Sequence, residues 1–127
     1  MATPDTAPDF VCELTTRPES ALIYRLSGDY NPVHADPKAA AKGGFAQPIL
    51  HGLCSYGVAG WAVTNLLCDG DASRLRRFDL RFTTPVYPGE TLRTEVWKQG
   101  TGVAAFRVRV PARDVIVLNN GRAEYLP

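Results

Sequence analysis

The sequence predicts an α+β domain in which an antiparallel β-sheet wraps around one long hydrophobic helix. Two observations predict this class. The segment His51–Cys68 carries no charged residue, and four segments with the alternation and turn signals of strands follow it in the last third of the chain. A helix that is apolar on nearly all sides needs a second layer to bury it, and a sheet of consecutive strands supplies that layer.

Composition favours a single domain with its own core. The 127 residues are 45% apolar, and fourteen Lys and Arg balance thirteen Asp and Glu, so the chain lacks the basic excess of a nucleic-acid-binding protein. The spacing of Cys12, Cys54 and Cys68 matches neither a disulfide framework nor a metal knuckle. We therefore expect a flexible lead over residues 1–9 and one domain over residues 10–127, in a reducing compartment.

Targeting signals are also lacking. The chain has neither the basic and apolar regions of a signal peptide nor a run of ~18 apolar residues that spans a membrane. Its last residues, Glu124–Pro127, differ from the Ser-Lys-Leu address of peroxisomal import. We expect a cytoplasmic protein without a membrane span, and a peroxisomal one only if it is part of, or carried by, a longer protein.

The first third of the chain predicts a short strand followed by short helices. Residues 10–16, FVCELTT, suit a strand, and Thr16 with Glu19 has the spacing of a capping box for a helix that ends at Ser27–Gly28. Residues 36–44 predict another helical turn with Asp36 as its cap, and residues 45–50 are expected to be extended.

The uncharged segment is predicted to be a buried helix. Four polar residues argue against a membrane span, namely His51, Ser55, Thr64 and Asn65. Four small residues would let a sheet approach the helix backbone closely, namely Gly57, Ala59, Gly60 and Ala62. Strands are predicted at residues 76–86, 91–99, 103–111 and 114–126. Phe106, Val108 and Val110 alternate with Arg107 and Arg109, which gives one buried and one wet face. This order of elements is that of a hot-dog fold.

One loop concentrates groups that can do chemistry. The stretch SGDYNPVHADP places Asp29, Asn31 and His34 within six residues. Any one of them alone is compatible with a turn cap or a hydrogen-bonded loop residue. A metal site of His34 with Asp36 and His51 matches no recognisable ligand pattern. A nucleophile at Cys54 or Ser55 would lie in the apolar helix without an obvious base.

Two longer motifs carry a family resemblance. YRLSGDYNPVHADP, followed after ten residues by PILHGLCSYG, resembles the MaoC-like (R)-specific enoyl-CoA hydratases. The likeness continues through RFTTPVYPGETLRTEVWKQG and covers roughly residues 18–126. The chain is similar to the second half of the two-repeat hydratases found in multifunctional enzymes of fatty-acid oxidation. The resemblance implies hydration of trans-2-enoyl-CoA to (R)-3-hydroxyacyl-CoA, and the reverse dehydration.

The roles of the loop residues follow from that resemblance and from the needs of the reaction. His34 is expected to be the base that deprotonates water, because imidazole titrates near neutral pH. Asp29 is expected to hold the same water and supply the proton of the α carbon, and Asn31 to orient the water or Asp29. The N–H of Gly52, where the long helix begins, is the expected oxyanion donor, and glycine leaves room for the thioester.

Further residues are expected to contact the substrate. The resemblance places Phe82 against the substrate, together with Tyr30, Asn31, Pro32, Val33 and Gly52. Scattered basic residues are candidates for the phosphates of CoA, namely Lys38, Lys42, Arg76, Arg77 and Arg81. His51 is expected to cap the helix or to be structural. CoA is part of the substrate, and we expect no separate cofactor and no metal.

A single repeat is expected to need a partner that completes the pocket. In the two-repeat relatives the other half contributes contacts to CoA and helps to form the acyl tunnel. A homodimer is the first expectation, a heteromer with another hot-dog subunit the second, and a fragment of a longer polypeptide the third. The alternatives to a hydratase are a hot-dog thioesterase, a non-catalytic acyl-CoA-binding subunit and a metal-dependent hydrolase.

Overall fold

The computed structural model describes residues 1–127, which form one five-stranded antiparallel sheet and three α-helices. The strands are β1 (Phe10–Thr15), β2 (Leu75–Phe82), β3 (Thr91–Lys98), β4 (Val103–Val110) and β5 (Val115–Tyr125). The helices are α1 (Ser20–Arg25), α2 (Pro37–Lys42) and α3 (Gly52–Cys68), and single turns of 3₁₀-helix lie at Pro32–His34, Ala72–Arg74 and Pro111–Arg113. The strand order is β1-β3-β4-β5-β2, so β1 and β2 are the two edges.

The predicted packing of α3 against the sheet is confirmed. Phe106 of β4 is fully buried and stacks on Phe78 of β2 with ring centroids 4.6 Å apart. The hydroxyl of Tyr56 on α3 donates to the carbonyl of Phe78 at 2.8 Å, which ties the helix to the edge strand. Ala59 and Val63, which lie on the same face of α3 as Tyr56, are fully buried in the core. The sheet therefore holds α3 at several points along its length.

The capping box predicted for α1 is wrong. Glu19 occupies the N-cap position and makes no capping hydrogen bond. The hydroxyl of Thr16 instead donates to the carbonyl of Glu90 at 2.8 Å and accepts from the N–H of Gly89 at 3.0 Å. Thr16 therefore connects the end of β1 to the turn before β3, and a tertiary contact has replaced the local one.

Two other predicted features need correction. Strand β2 ends at Phe82, four residues before the predicted end, because the chain turns into a loop in which Pro85 offers no N–H to a ladder. The apolar helix α3 is not buried along its whole surface, since Leu53 is 67% exposed and Trp61 is 52% exposed. Gly57 lies between them on the same exposed face, with no side chain or backbone atom near its Cβ position, so it does not serve close approach of the sheet.

Most of the other predicted elements are confirmed. Asp36 caps α2 by accepting from the N–H of Lys38, and Gly28 ends the α1 turn with φ of +101°.

The three cysteines are unpaired. No helix has both the length and the apolar character needed to cross a membrane.

The lead, residues 1–9, has no helix or strand but is hydrogen-bonded to the sheet. The indole N–H of Trp97 donates to the carbonyl of Thr6 at 2.9 Å, and the Asp9 carboxylate accepts from the N–H of Lys98 at 2.7 Å. The flexibility of this lead stays a prediction.

The close approach of β5 to β4 generates a test of the fold. A Cβ at position 121 would lie 2.5 Å from the carbonyl oxygen of Phe106 and 2.6 Å from its ring. We expect Gly121→Ala to destabilise the protein by about 1–3 kcal/mol, the usual cost of overpacking a buried site. The free energy of unfolding is measured by urea denaturation.

The control for this test is Gly60→Ala, because a Cβ at position 60 meets only the Phe78 ring at an ordinary 3.8 Å. We expect that change to be neutral or to stabilise the helix by up to about 1 kcal/mol. Equal midpoints for the two variants would contradict the packing described for β4 and β5.

Candidate active site

The loop with the predicted chemistry is fixed at its start and near its end by backbone hydrogen bonds. The N–H of Asp29 donates to the carbonyl of Tyr24 at 3.0 Å, so the loop turns back onto α1 after Gly28. The N–H of Ile49 donates to the carbonyl of Val33 at 3.2 Å. The segment before α3 therefore lies beside the 3₁₀ turn that carries His34.

The hydrogen bond of His34 defines which of its nitrogens can act as a base. Nδ1 of His34 lies 2.7 Å from the carbonyl oxygen of Ile49. A carbonyl oxygen only accepts, so Nδ1 carries the proton and Nε2 keeps its lone pair. The ring is therefore oriented by its backbone partner, with the basic nitrogen left free.

The carboxylate of Asp29 is held by its own loop. Oδ1 accepts from the backbone N–H of Asn31 at 3.1 Å, and the side-chain oxygen of Asn31 accepts from the N–H of Val33 at 3.1 Å. Asn31 thus contacts Asp29 through its backbone, whereas its side-chain oxygen caps the 3₁₀ turn. Orientation of the catalytic water by the Asn31 amide stays a prediction.

His51 enters the site, which the sequence did not indicate. Its ring is 4% exposed and is stacked between Tyr24 and His34, with centroid distances of 4.1 and 3.6 Å. Its Nε2 lies 3.2 Å from Oδ2 of Asp29. Burial lowers the pKa of His51 and the neighbouring His34 lowers it further, which outweighs the opposite effect of Asp29. His51 occupies the predicted N-cap position of α3, but its side chain makes no capping hydrogen bond; the structural role, which was the other expectation, stays a prediction.

Asp29, His34 and His51 form the one cluster of three side chains with metal-ligating atoms close together, all within 4.8 Å of one another. Asp36 is not part of it. The two imidazole planes are stacked and inclined by only 22°, so their in-plane lone pairs run nearly parallel instead of converging on one ion. This geometry does not favour a metal centre, and the predicted absence of a metal stays a prediction.

The start of α3 presents free backbone donors beside these side chains. Gly52 is the first residue of the 17-residue helix, and the N–H groups of Gly52 and Leu53 have no acceptor within the protein. The positive end of the helix dipole lies at the same point. A Cβ on Gly52 would be 3.0 Å from the ring of Phe82, so glycine also lets this ring approach.

Two cavities meet at Gly52. The polar cavity, of about 530 Å³, is lined by Asp29, His34 and His51, together with Tyr24, Ser27, Gly28, Gly52 and Leu53. The apolar cavity, of about 310 Å³, lies on the other side of Gly52 and extends between Phe82, Leu118 and the loop of residues 83–86. A thioester whose oxygen binds at Gly52 would therefore have charged and polar groups on one side and apolar groups on the other.

Several predicted contact residues lie outside both cavities. Tyr30 is largely exposed, and neither Pro32 nor Val33 lines a cavity. Arg77 is engaged by Asp79 at 2.6 Å and by Glu124, whereas four other basic candidates form no ion pair, namely Lys38, Lys42, Arg76 and Arg81. Contact of these residues with substrate or CoA stays a prediction.

An ion pair that the sequence did not indicate supports the apolar cavity. Arg113 donates to both carboxylate oxygens of Glu90, at 2.6 and 2.7 Å, and to the carbonyl of Pro85 at 2.9 Å. Glu90 also accepts from the N–H of Tyr87 at 2.7 Å. Burial raises the pKa of Glu90, but the hydrogen bonds from Arg113 and Tyr87 outweigh it and lower the pKa. The loop that lines the cavity is thus fixed to the turn before β5.

Residues 1–120 match the family model described as the MaoC like domain. The chain is 48% identical over 128 residues to the 3-hydroxyacyl-thioester dehydratase Y of Mycobacterium tuberculosis, and the aligned region covers 97% of this chain and 44% of that protein. It is also 48% identical over 115 residues to the peroxisomal enoyl-CoA hydratase 2 of Arabidopsis thaliana, and the aligned region covers 91% of this chain and 37% of that protein.

The fold matches a solved structure of the same kind. The crystal structure of the MaoC-like dehydratase from Phytophthora capsici superposes with a TM-score of 0.92 at 45% identity, over 97% of this chain and 42% of that one. The hot-dog fold predicted from the order of elements is confirmed. The chain spans less than half the length of these three proteins.

The ion pair of Glu90 gives a pH-dependent prediction. Because folding lowers the pKa of Glu90, the pair stabilises the protein fully above the ordinary glutamate pKa of ~4.3, and this contribution is lost as the pH falls through the lowered value. We expect Glu90→Gln to cost about 1–2 kcal/mol at pH 7. Urea denaturation of the wild type and the variant at pH 7 and at pH 3 measures how much unfolding free energy the substitution removes at each pH.

The matched control is Glu13→Gln, which removes an exposed pair with Arg93 and should cost less than about 0.5 kcal/mol. A Glu90→Gln penalty that is no larger at pH 7 than at pH 3 would show that the ion pair does not stabilise the loop.

Proposed function

The chain belongs to the family of MaoC-like dehydratase domains, and we propose that it hydrates trans-2-enoyl-CoA to (R)-3-hydroxyacyl-CoA and catalyses the reverse dehydration. The observation that carries this proposal is the orientation of His34. Its Nδ1 donates to Ile49, which leaves the basic Nε2 free, and both His34 and Asp29 line the cavity that also contains the start of α3 with its free N–H groups. The names of the relatives, a thioester dehydratase and an enoyl-CoA hydratase, support the same reaction.

The proton transfers balance with these groups. His34 takes a proton from water, and the hydroxide adds to the β carbon while the electron pair of the double bond moves towards the thioester oxygen. The N–H of Gly52 stabilises the enolate oxygen. Asp29 then gives its proton to the α carbon, and His34 returns a proton to Asp29 to close the cycle.

The positions of the two groups support the stereochemical assignment. Asp29 and His34 line the same polar cavity, so they approach the bound enoyl group from one face. Addition of water and of the α proton from that face is syn. The apolar cavity beyond Gly52, with Phe82 at its rim, suits the acyl chain of the substrate.

We also propose that a second hot-dog unit completes the site, with a homodimer as the first form and a heteromer as the second. Helices α1 and α3 carry large apolar side chains that are exposed, namely Leu22, Ile23, Leu26, Leu53 and Trp61, and Leu53 lines the polar cavity. Exposed apolar patches of this kind mark interfaces, and the outer side of edge strand β2 is unpaired. The relatives, of which the chain spans 44% and 37%, have room for a second unit.

The catalytic roles are tested by substitution. We expect Asp29→Asn and His34→Ala each to lower kcat by at least ~10² without loss of the fold, as for other positioned acids and bases. The assay follows the loss of the conjugated-thioester absorbance of a short enoyl-CoA and determines the chirality of the product.

The control for Asp29→Asn is Asp36→Asn in the same loop, because asparagine caps a helix as well as aspartate does. Near-normal turnover by Asp29→Asn or His34→Ala would refute the assigned roles. Release of free CoA without hydration, detected with a thiol reagent, would favour a thioesterase.

Association is tested by light scattering. We expect the active protein to have the mass of a dimer, and Trp61→Lys to lower both the mass and the turnover, because a charge on the exposed face of α3 opposes its burial. The control is Leu14→Lys on the opposite edge strand β1. A monomer with full turnover would rule out a shared site, whereas an inactive monomer rescued by a second hot-dog protein would favour the heteromer.

A further inference from the structure

The buried imidazole of His51 has no partner that explains its burial. Neither Nδ1 nor Nε2 makes an aligned hydrogen bond, although the ring is 4% exposed. A buried polar group without a partner costs free energy, so its retention points to a use. The nearest polar atom named for this ring is Oδ2 of Asp29, 3.2 Å from Nε2. Catalytic hydrogen bonds are often misaligned before substrate binds and tighten afterwards.

The surroundings keep this ring neutral. Burial and the adjacent His34 lower the pKa of His51. Tyr24 stacks on the other face of the ring, and burial raises the pKa of its hydroxyl. Burial also raises the pKa of the Cys54 thiol next to Tyr24, so both groups stay uncharged. Arg25, the last residue of α1, donates to the carbonyl of Tyr30. Asp29 is the one carboxylate that clusters with His51, and a neutral ring can offer it an N–H from Nε2.

We propose that His51 is a positioning residue whose neutral Nε2–H binds Oδ2 of Asp29 and stabilises the carboxylate that forms when Asp29 gives up its proton. The backbone N–H of Asn31 already binds Oδ1, so the two donors together hold both oxygens. The stabilisation grows as negative charge develops on Asp29, so it acts on the transition state more than on substrate binding. This inference rests on the proposed hydratase function.

Three substitutions distinguish the effect of the Nε2–H donor of His51 from the effect of its stacked ring. His51→Phe keeps a planar ring between Tyr24 and His34 but removes both nitrogens. His51→Gln places an amide N–H near the position of Nε2, whereas the shorter His51→Asn reaches only the position of Nδ1. We expect kcat to fall by ~10-fold or more in His51→Phe and His51→Asn with KM nearly unchanged, and His51→Gln to restore most of it.

The pH profile gives a readout that a purely structural role would not move. Loss of the donor makes the Asp29 carboxylate harder to form, so the basic limb of the pH dependence of kcat should move to higher pH in His51→Phe and return in His51→Gln. Equal kcat values for the Gln and Asn variants would overturn the proposal, and so would a wild-type kcat and pH profile in His51→Phe. The comparison of the Gln and Asn variants still tests the donor role of His51 if the Phe variant does not fold.

A measurement without substrate separates this inference from the proposed function. The chain has two histidines, so ¹⁵N labelling of histidine gives two imidazole spectra, and His51→Gln assigns the remaining one to His34. We expect His51 at pH 7 to be neutral with its proton on Nε2, and this N–H signal to shift in Asp29→Ala. A charged ring or a proton on Nδ1 would overturn the inference. If the wild type shows these signals but does not hydrate enoyl-CoA, the proposed function fails and the contact with Asp29 stands.

Discussion

The site depends on the packing of α3 against the sheet, because this packing fixes where the helix begins. The Tyr56 hydroxyl on the carbonyl of Phe78 and the stack of Phe78 on Phe106 hold the helix laterally. The N–H of Leu50 donates to the carbonyl of Val86 at 2.7 Å, which fixes the residues just before the helix. A rigid helix whose first N–H groups stay unpaired can stabilise a negative charge without reorganising, since its donors are already oriented.

Asp29 and His34, to which the proposed function assigns the proton transfers, lie on a loop that tertiary contacts fix to the helices. The stack of Tyr24, His51 and His34 joins α1, the start of α3 and the 3₁₀ turn. The bond from His34 to Ile49 adds a backbone contact to the same junction. Positions that must be accurate to a fraction of an ångström for proton transfer are thus set by packing as well as by local turn geometry.

The sequence predicted the features that are local and missed those that join distant segments. The uncharged run of α3 and the alternating strands specify their own structure, and the motif around Asp29 and His34 marks two of the side chains that line the polar cavity. The use of His51 depends on rings that are 27 and 17 residues away in the chain, and the pair of Glu90 with Arg113 joins two turns that carry no shared pattern. Apolar periodicity also could not distinguish the face of α3 that the sheet covers from the face that is exposed at Leu53 and Trp61.

That last ambiguity has a functional consequence. Leu53 follows Gly52 directly and lines the polar cavity, and it also begins the exposed apolar face that continues to Trp61. The residues that a second unit would cover are therefore adjacent to Gly52, the proposed oxyanion donor. Covering Leu53 would remove water from the mouth of the polar cavity, and hydrogen bonds and charges act more strongly where water is excluded. Under the proposed association, covering the exposed face of α3 and stabilising the enolate would therefore be coupled through the first turn of that helix.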